Sequence, residues 1–185
     1  MPQVAEYMAQ ALPKELLKVL HDRLKGLPET GVPAAADPEV DRIVEEEKKF
    51  LLTVDPALGA TAYTYGLPPE VIAVKQKYAE LWEGLKKWRD EGLARLKTRY
   101  LAEKEELEKK QFEAMTAVAE KVPPGPDQWE ALIPVYEEYG AKLNAALDRY
   151  AEDREAVHQA YLTAFMKSLA DYTDEFYTAM EKAGA

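Results

Sequence analysis

From Val71 onward, apolar residues recur in alternating steps of three and four: Val71, Val74, Tyr78, Leu81, Leu85 and Trp88. That spacing marks the seam of one helix lying along another. After Gly92 the seam resumes one position late, at Leu93, Leu96, Tyr100 and Leu107, which predicts a bend at the glycine. A second run carries Tyr136, Tyr139, Leu143, Leu147, Tyr150, Arg154, Val157, Tyr161, Phe165, Leu169, Tyr172 and Phe176, and only Arg154 breaks its apolar rule. The two runs are separated by Val122-Pro123-Pro124-Gly125-Pro126, a stretch that stops a helix and reverses the chain. The pattern therefore predicts an all-α fold. Its main element is a long antiparallel two-helix coiled-coil hairpin, about 69–121 and 127–182, with short N-terminal helices packed at its base.

The rest of the chain fits around that hairpin as one helical domain. Val4, Tyr7, Met8 and Leu12 mark a first short helix that stops at Pro13. Leu16, Leu17, Val19, Leu20 and Leu24 mark a second, closed by Gly26 and Pro28. After a Pro/Ala linker, Asp37 and Pro38 are the N-cap and first residue of a third helix reaching Val54. Residues 55–68 read as an extended connector, because Ala60-Thr61-Ala62-Tyr63-Thr64-Tyr65 combines residues of high strand propensity. No second strand is legible to pair with it. It is expected to lie as a loop on the helices, or to pair with another chain. Trp82, Leu162, Met166 and Tyr177 widen the apolar face beyond a two-helix seam, so the N-terminal helices are expected to cover that end. Farther along, Leu101–Gln111 keeps only Leu101 and Leu107 with the i,i+4 pairs Glu105–Lys109 and Glu106–Lys110, the signature of a solvated two-helix stalk.

Charge sharpens the pairing. Residues 71–126 carry 12 Lys and Arg against 10 Asp and Glu, whereas residues 127–185 carry 5 against 12. A slightly basic arm thus meets an acidic one. With the turn centred on Pro124–Gly125, facing residue numbers add to about 249. This register sets Trp88 on Tyr161, Tyr100 on Tyr150 and Phe112 on Tyr136. It also brings Lys75 and Lys77 to Asp171 and Asp174, Lys97 to Glu152 and Asp153, and Lys109 and Lys110 to Glu137 and Glu138. Such exposed pairs select register more than they stabilise.

Composition mostly excludes. The 185 residues carry a net charge of −10, which argues against nucleic acid or an anionic membrane as the main partner. No apolar run is long enough to span a bilayer, and no signal peptide is legible, so the expected location is the cytoplasm, or a virion. The absence of Cys removes disulfides, thiol catalysis and Cys-ligated metals. A single Ser and a single Asn, beside abundant Glu and Lys, match the composition of proteins from hot environments.

No catalytic set, cofactor loop or metal ligand set is expected. Glu155-Ala-Val-His158 matches one Glu-x-x-His element of di-iron bundles, but the chain's other histidine, His21, belongs to no second element. Glu45, Glu46 and Glu47 point in different directions on a helix. Lys86, Lys87, Arg89, Arg95, Lys97 and Arg99 interleave with Trp82, Trp88 and Tyr100 as nucleic-acid surfaces do, yet Asp90, Glu91 and the acidic return arm offset them. Ser168 has no base beside it.

Two segments remain as candidate partner-binding sites: Tyr63, Thr64 and Tyr65 in the extended stretch, and Asp127 and Trp129 beside the turn. Trp129 is expected to staple the turn against Met115 or Val118; the alternative is a probe presented to a partner. The expected function is non-enzymatic: a helical assembly or interaction protein acting on a protein partner or on itself, of which a virion or phage-assembly component is the natural specific case. The second reading is a regulatory protein presenting its helical tip to a macromolecular target.

Overall fold

The computed structural model describes residues 2–27 and 66–184, which form four helices and no strand. They are α1 (Pro2–Ala11), α2 (Lys14–Leu24), α3 (Pro69–Lys121) and α4 (Pro126–Lys182). The helix expected from Asp37 and the extended stretch with Tyr63, Thr64 and Tyr65 lie outside the described residues.

Local chemistry sets the boundaries. Pro13 separates α1 from α2, and Gly26, at φ +77°, takes the left-handed conformation that ends α2. α3 begins with Pro69 as its first residue, while the Pro68 carbonyl accepts from the Val71 and Ile72 amides at 3.0 and 3.1 Å. Pro126 opens α4 in the same way, and the Gly125 carbonyl accepts from the Gln128 and Trp129 amides at 3.2 and 3.3 Å. Gln128 Nε2 donates back to the Val122 carbonyl at 2.8 Å, which satisfies an acceptor left over where α3 ends.

α3 and α4 run antiparallel and pack on each other. Tyr78 meets Tyr172, Trp82 meets Ser168, Arg89 meets Tyr161 and Tyr100 meets Tyr150, and each pair of numbers adds to 250, one from the expected register. The line of contact, however, is not the one the apolar residues trace. On α3 the buried positions are Val71, Lys75, Tyr78, Trp82, Leu85, Arg89, Gly92, Leu96 and Tyr100. The alternation of three and four therefore passes Gly92 without a slip, and α3 is continuous through it. The apparent slip arises because three seam positions hold Lys, Arg and Gly. Trp88, expected against Tyr161, is half-buried beside the seam, and the Arg89 guanidinium takes its place 4.7 Å from the Tyr161 ring.

On α4 the buried residues are Ala146, Tyr150, Asp153, Arg154, Val157, Ala160, Ala164, Phe165, Ser168 and Ala179, half of them Ala or Ser. Tyr161 and Tyr172 flank them. At Trp82 bulk on α3 sits opposite the small Ser168 of α4, whereas Tyr78 and Tyr100 meet rings. At Gly92 the roles reverse, since a Cβ there would lie 3.5 Å from Val157 Cγ1.

The described residues fall into two compact units, and both long helices contribute to each. In the first (2–25, 66–93 and 156–184), α1 lies against both long helices. Val4, Met8 and Leu12 are buried along one face of the chain segment that forms α1 and its end, and Leu20 is buried on α2. A side chain at Gly84 would overlap Val4 Cγ2, so the glycine admits α1 onto α3. Tyr7 on α1 donates to Asp171 Oδ2 on α4 at 2.8 Å, and Lys167 Nζ lies 5.7 Å from the Tyr7 ring. Inside, Tyr78, Trp82, Phe165 and Tyr172 form an aromatic cluster with ring centroids 5.4–6.1 Å apart.

In the second unit (26–27 and 94–155), Tyr100 and Tyr150 stack with centroids 5.0 Å apart. The Arg154 guanidinium lies 5.4 Å from the Tyr150 ring. Buried Asp153 is paired with Arg99. Arg149 and Glu103 pair across the helices at 3.0 Å. Arg95 donates to the Leu27 carbonyl at 3.0 Å, which ties the segment after α2 to α3.

Candidate functional site

In the first unit the polar groups are engaged in packing. Asp171 accepts from Lys167 Nζ at 2.6 Å and from Tyr7, and these bonds hold its carboxyl below the usual range against the opposing effect of burial. Glu175 accepts from Lys77 at 2.7 Å and from the Tyr78 hydroxyl at 2.8 Å, and is lowered for the same reason. Burial first, and then the adjacent carboxylates, push the Tyr7 and Tyr78 hydroxyls well above the ordinary tyrosine range. Lys77 was expected near Asp171 and Asp174; it lies close enough to Asp171 to help lower its carboxyl, while its direct pair is with Glu175, one turn along. An open cavity of about 380 Å³ is lined by Glu70, Val74, Asp174, Glu175, Thr178, Ala179 and Lys182. Its Glu175 is already committed to Lys77 and Tyr78.

Ser168, the single serine, receives the Trp82 indole N–H at 2.8 Å and donates to the Phe165 carbonyl at 2.6 Å. It is a packing residue. The basic and aromatic band separates in the same way. Trp82, Arg89 and Tyr100 are buried in the helix pair, Arg89 also bonds Asp90 at 2.7 Å, and Lys87 lies 3.8 Å from Glu91. Among the described residues no three His, Asp or Glu side chains come together as a metal site. No described helix is long and apolar enough to cross a membrane.

The second unit carries a different kind of feature. Trp129 does not staple the turn: it is 68% exposed, and the turn is closed by the Gln128 bond instead. Phe112, at 71%, is equally open, and Ile133 and Tyr136 expose about half their surface. Asp127 is exposed in the first turn of α4, where its charge suits the helix N-terminus.

Helical geometry places these four apolar residues together. Trp129, Ile133 and Tyr136 follow i, i+4, i+7 spacing, one residue beyond the positions that face α3, namely 128, 132 and 135. Phe112 likewise follows Gln111, which faces α4. In an antiparallel pair, positions just past the seam on both helices fall on the same side. At the observed register Phe112 and Tyr136 stand at nearly the same height. Half-buried Met115 and exposed Ala119 complete the surface on the α3 side.

The opposite side is charged. Glu106 and Lys110 pair at 2.6 Å within α3, as expected, and Glu138 and Lys142 pair at 2.6 Å within α4. Lys110 was expected to reach Glu137 and Glu138 across the helices, but the i,i+4 partner on its own helix is nearer. The Glu138 hydrogen bond raises Lys142 above the usual lysine range against repulsion from Lys110, so the two pairs share one side. The unit is thus two-faced.

Sequence reasoning singled out Trp129 and Asp127 but not Phe112, Ile133 or Tyr136 as an exposed set. It placed Phe112 and Tyr136 in the seam, facing each other. The available signal was the i, i+4, i+7 run from Trp129 beside a turn fixed by its prolines. No family model, curated protein or solved structure matches the chain.

Proposed function

We propose that the chain is a non-enzymatic helical interaction protein that binds another protein surface through the apolar side of its second unit. The observation that carries this reading is the exposure of Phe112, Trp129, Ile133 and Tyr136 on one side of a helix pair whose other side holds ion pairs. An aromatic-rich patch of this size, on rigid helices, is what protein interfaces use as their buried centre. Assembly into a larger structure, a virion among the candidates, accounts for the patch as an intersubunit contact. A regulator docking on a macromolecular target accounts for it as a probe. The first reading is favoured because the patch lies along the helices rather than on the turn alone.

The test uses the cysteine-free background. Ile133→Cys, carrying a photo-crosslinker, is added to an extract of the cells that make the protein, with Ala117→Cys on the charged side as control. The reading requires a discrete cross-linked product from position 133 and none from 117. Equal products from both positions, or none from either, would defeat it.

A further inference from the structure

The geometry points to a second copy of this chain as the occupant of the apolar side of the second unit, the two copies packing face to face as a four-helix arrangement about a two-fold axis. This deepens the proposed function and rests on it.

Area is the first argument. With three aromatic rings and Ile133 between about half and 71% exposed, each copy offers on the order of 500 Å² of apolar side-chain surface. Two copies together reach roughly 1,000 Å², the lower bound of a specific stable interface. Half-buried Met115 and exposed Ala119 on the same side add to that area.

Self-complementarity is the second. A two-fold axis running parallel to the helices lays α3 of one copy on α4 of the other at the same height. At the observed register Phe112 then meets Tyr136 of the second copy, within about 3 Å of the same level at 1.5 Å rise per residue. Ala119 meets Trp129 of the second copy with the same small offset. One contact is a ring on a ring. The other is a large side chain against a small one, and each occurs twice by symmetry. The third argument is desolvation. The ion pairs Glu106–Lys110 and Glu138–Lys142 lie on the far side, so docking leaves both in water.

The experiment is sedimentation equilibrium of the full chain from low micromolar to submillimolar concentration, with circular dichroism on the same samples. The parent should move from the chain mass to twice that mass. Trp129→Glu combined with Ile133→Glu should weaken the dimer at least about a hundredfold with helix content unchanged, as expected for two central interface residues. Ala117→Glu, on the charged side, should leave the dimer intact. Phe112→Cys mixed with Tyr136→Cys should form a disulfide between copies that neither variant forms alone. A parent that stays monomeric throughout overturns the second-copy inference. The cross-linking from position 133 then decides separately whether the interaction reading survives: a product with another protein keeps it, and no product ends it as well. A dimer that persists in the double Glu variant places the interface elsewhere and overturns the inference.

Discussion

The indole N–H of Trp82 donates to the hydroxyl of Ser168 at 2.8 Å, with 4% of the tryptophan and none of the serine exposed. The contact joins the largest side chain of the α3 seam to one of the smallest on α4. Ser168→Ala should cost about 1–3 kcal/mol, because it leaves a buried donor without its acceptor. Trp82→Ala should cost about 3–5 kcal/mol through the cavity it leaves. Chemical denaturation of both single variants and the double variant checks this. Strictly additive losses would mean that the bond contributes nothing of its own.

Gly84 and Gly92 lie about two helical turns apart on α3 yet should respond in opposite directions. An alanine methyl at Gly92 finds ordinary contact with Val157 at 3.5 Å, so Gly92→Ala should stabilise by about 0.5–1 kcal/mol through helix propensity. At Gly84 the same methyl overlaps Val4, so Gly84→Ala should destabilise and loosen α1. Adding Val4→Ala should reverse the sign of Gly84→Ala. Melting temperatures of the four variants decide this. A destabilising Gly92→Ala would show that the glycine is needed for a backbone distortion.

The first unit should lose stability at both ends of the pH scale, through the Tyr7–Asp171 bond of α1 and the Tyr78–Glu175 bond between α3 and α4. Asp171 and Glu175 have lowered values in the fold, so their contribution is complete above the ordinary carboxylate value of about 4 and is lost as pH falls through the lowered values. Tyr7 and Tyr78 are raised, so their contribution is complete below about pH 10 and fades as pH rises beyond it. Tyr7→Phe should flatten the alkaline limb and part of the acid limb. Stability measured against pH for the parent and this variant checks the assignment; identical curves would contradict it.

Trp129→Ala should leave the unfolding free energy of the dilute chain within about 0.5 kcal/mol of the parent by chemical denaturation, as exposed positions do. A residue that stapled the turn would cost more. Trp82→Ala serves as the comparison, since its ring is buried.

Much of the hairpin was legible because Pro and Gly at 122–126 fix the reversal and a period of three to four spans more than ten turns. The register was legible to within one residue because charge and aromatic pairs converge on a single value. The seam itself is less legible, because apolar identity does not equal burial: Lys75, Arg89, Asp153 and Ser168 occupy the interior while Trp88 and Leu81 lie beside it. Long side chains reach interior positions when a ring or an opposite charge meets their polar end, as Tyr161 does for Arg89. The candidate face was half legible: Trp129 was identified, but its exposure depends on where the seam drifts relative to a straight helix, and that is set by packing rather than by residue type.

The unequal seam also determines who pairs with whom. The buried apolar residues Tyr78, Trp82, Leu85 and Leu96 of α3 are large, whereas half of those buried on α4 are Ala or Ser, so two copies of α3 would set bulk against bulk and two copies of α4 would leave gaps between alanines. Each long helix is therefore a poor mate for its own duplicate and a good one for the other. A chain cut at the Pro-Pro-Gly turn should reassemble one to one from its two pieces, and an arm exchanged between molecules should find the same α3–α4 match that it left.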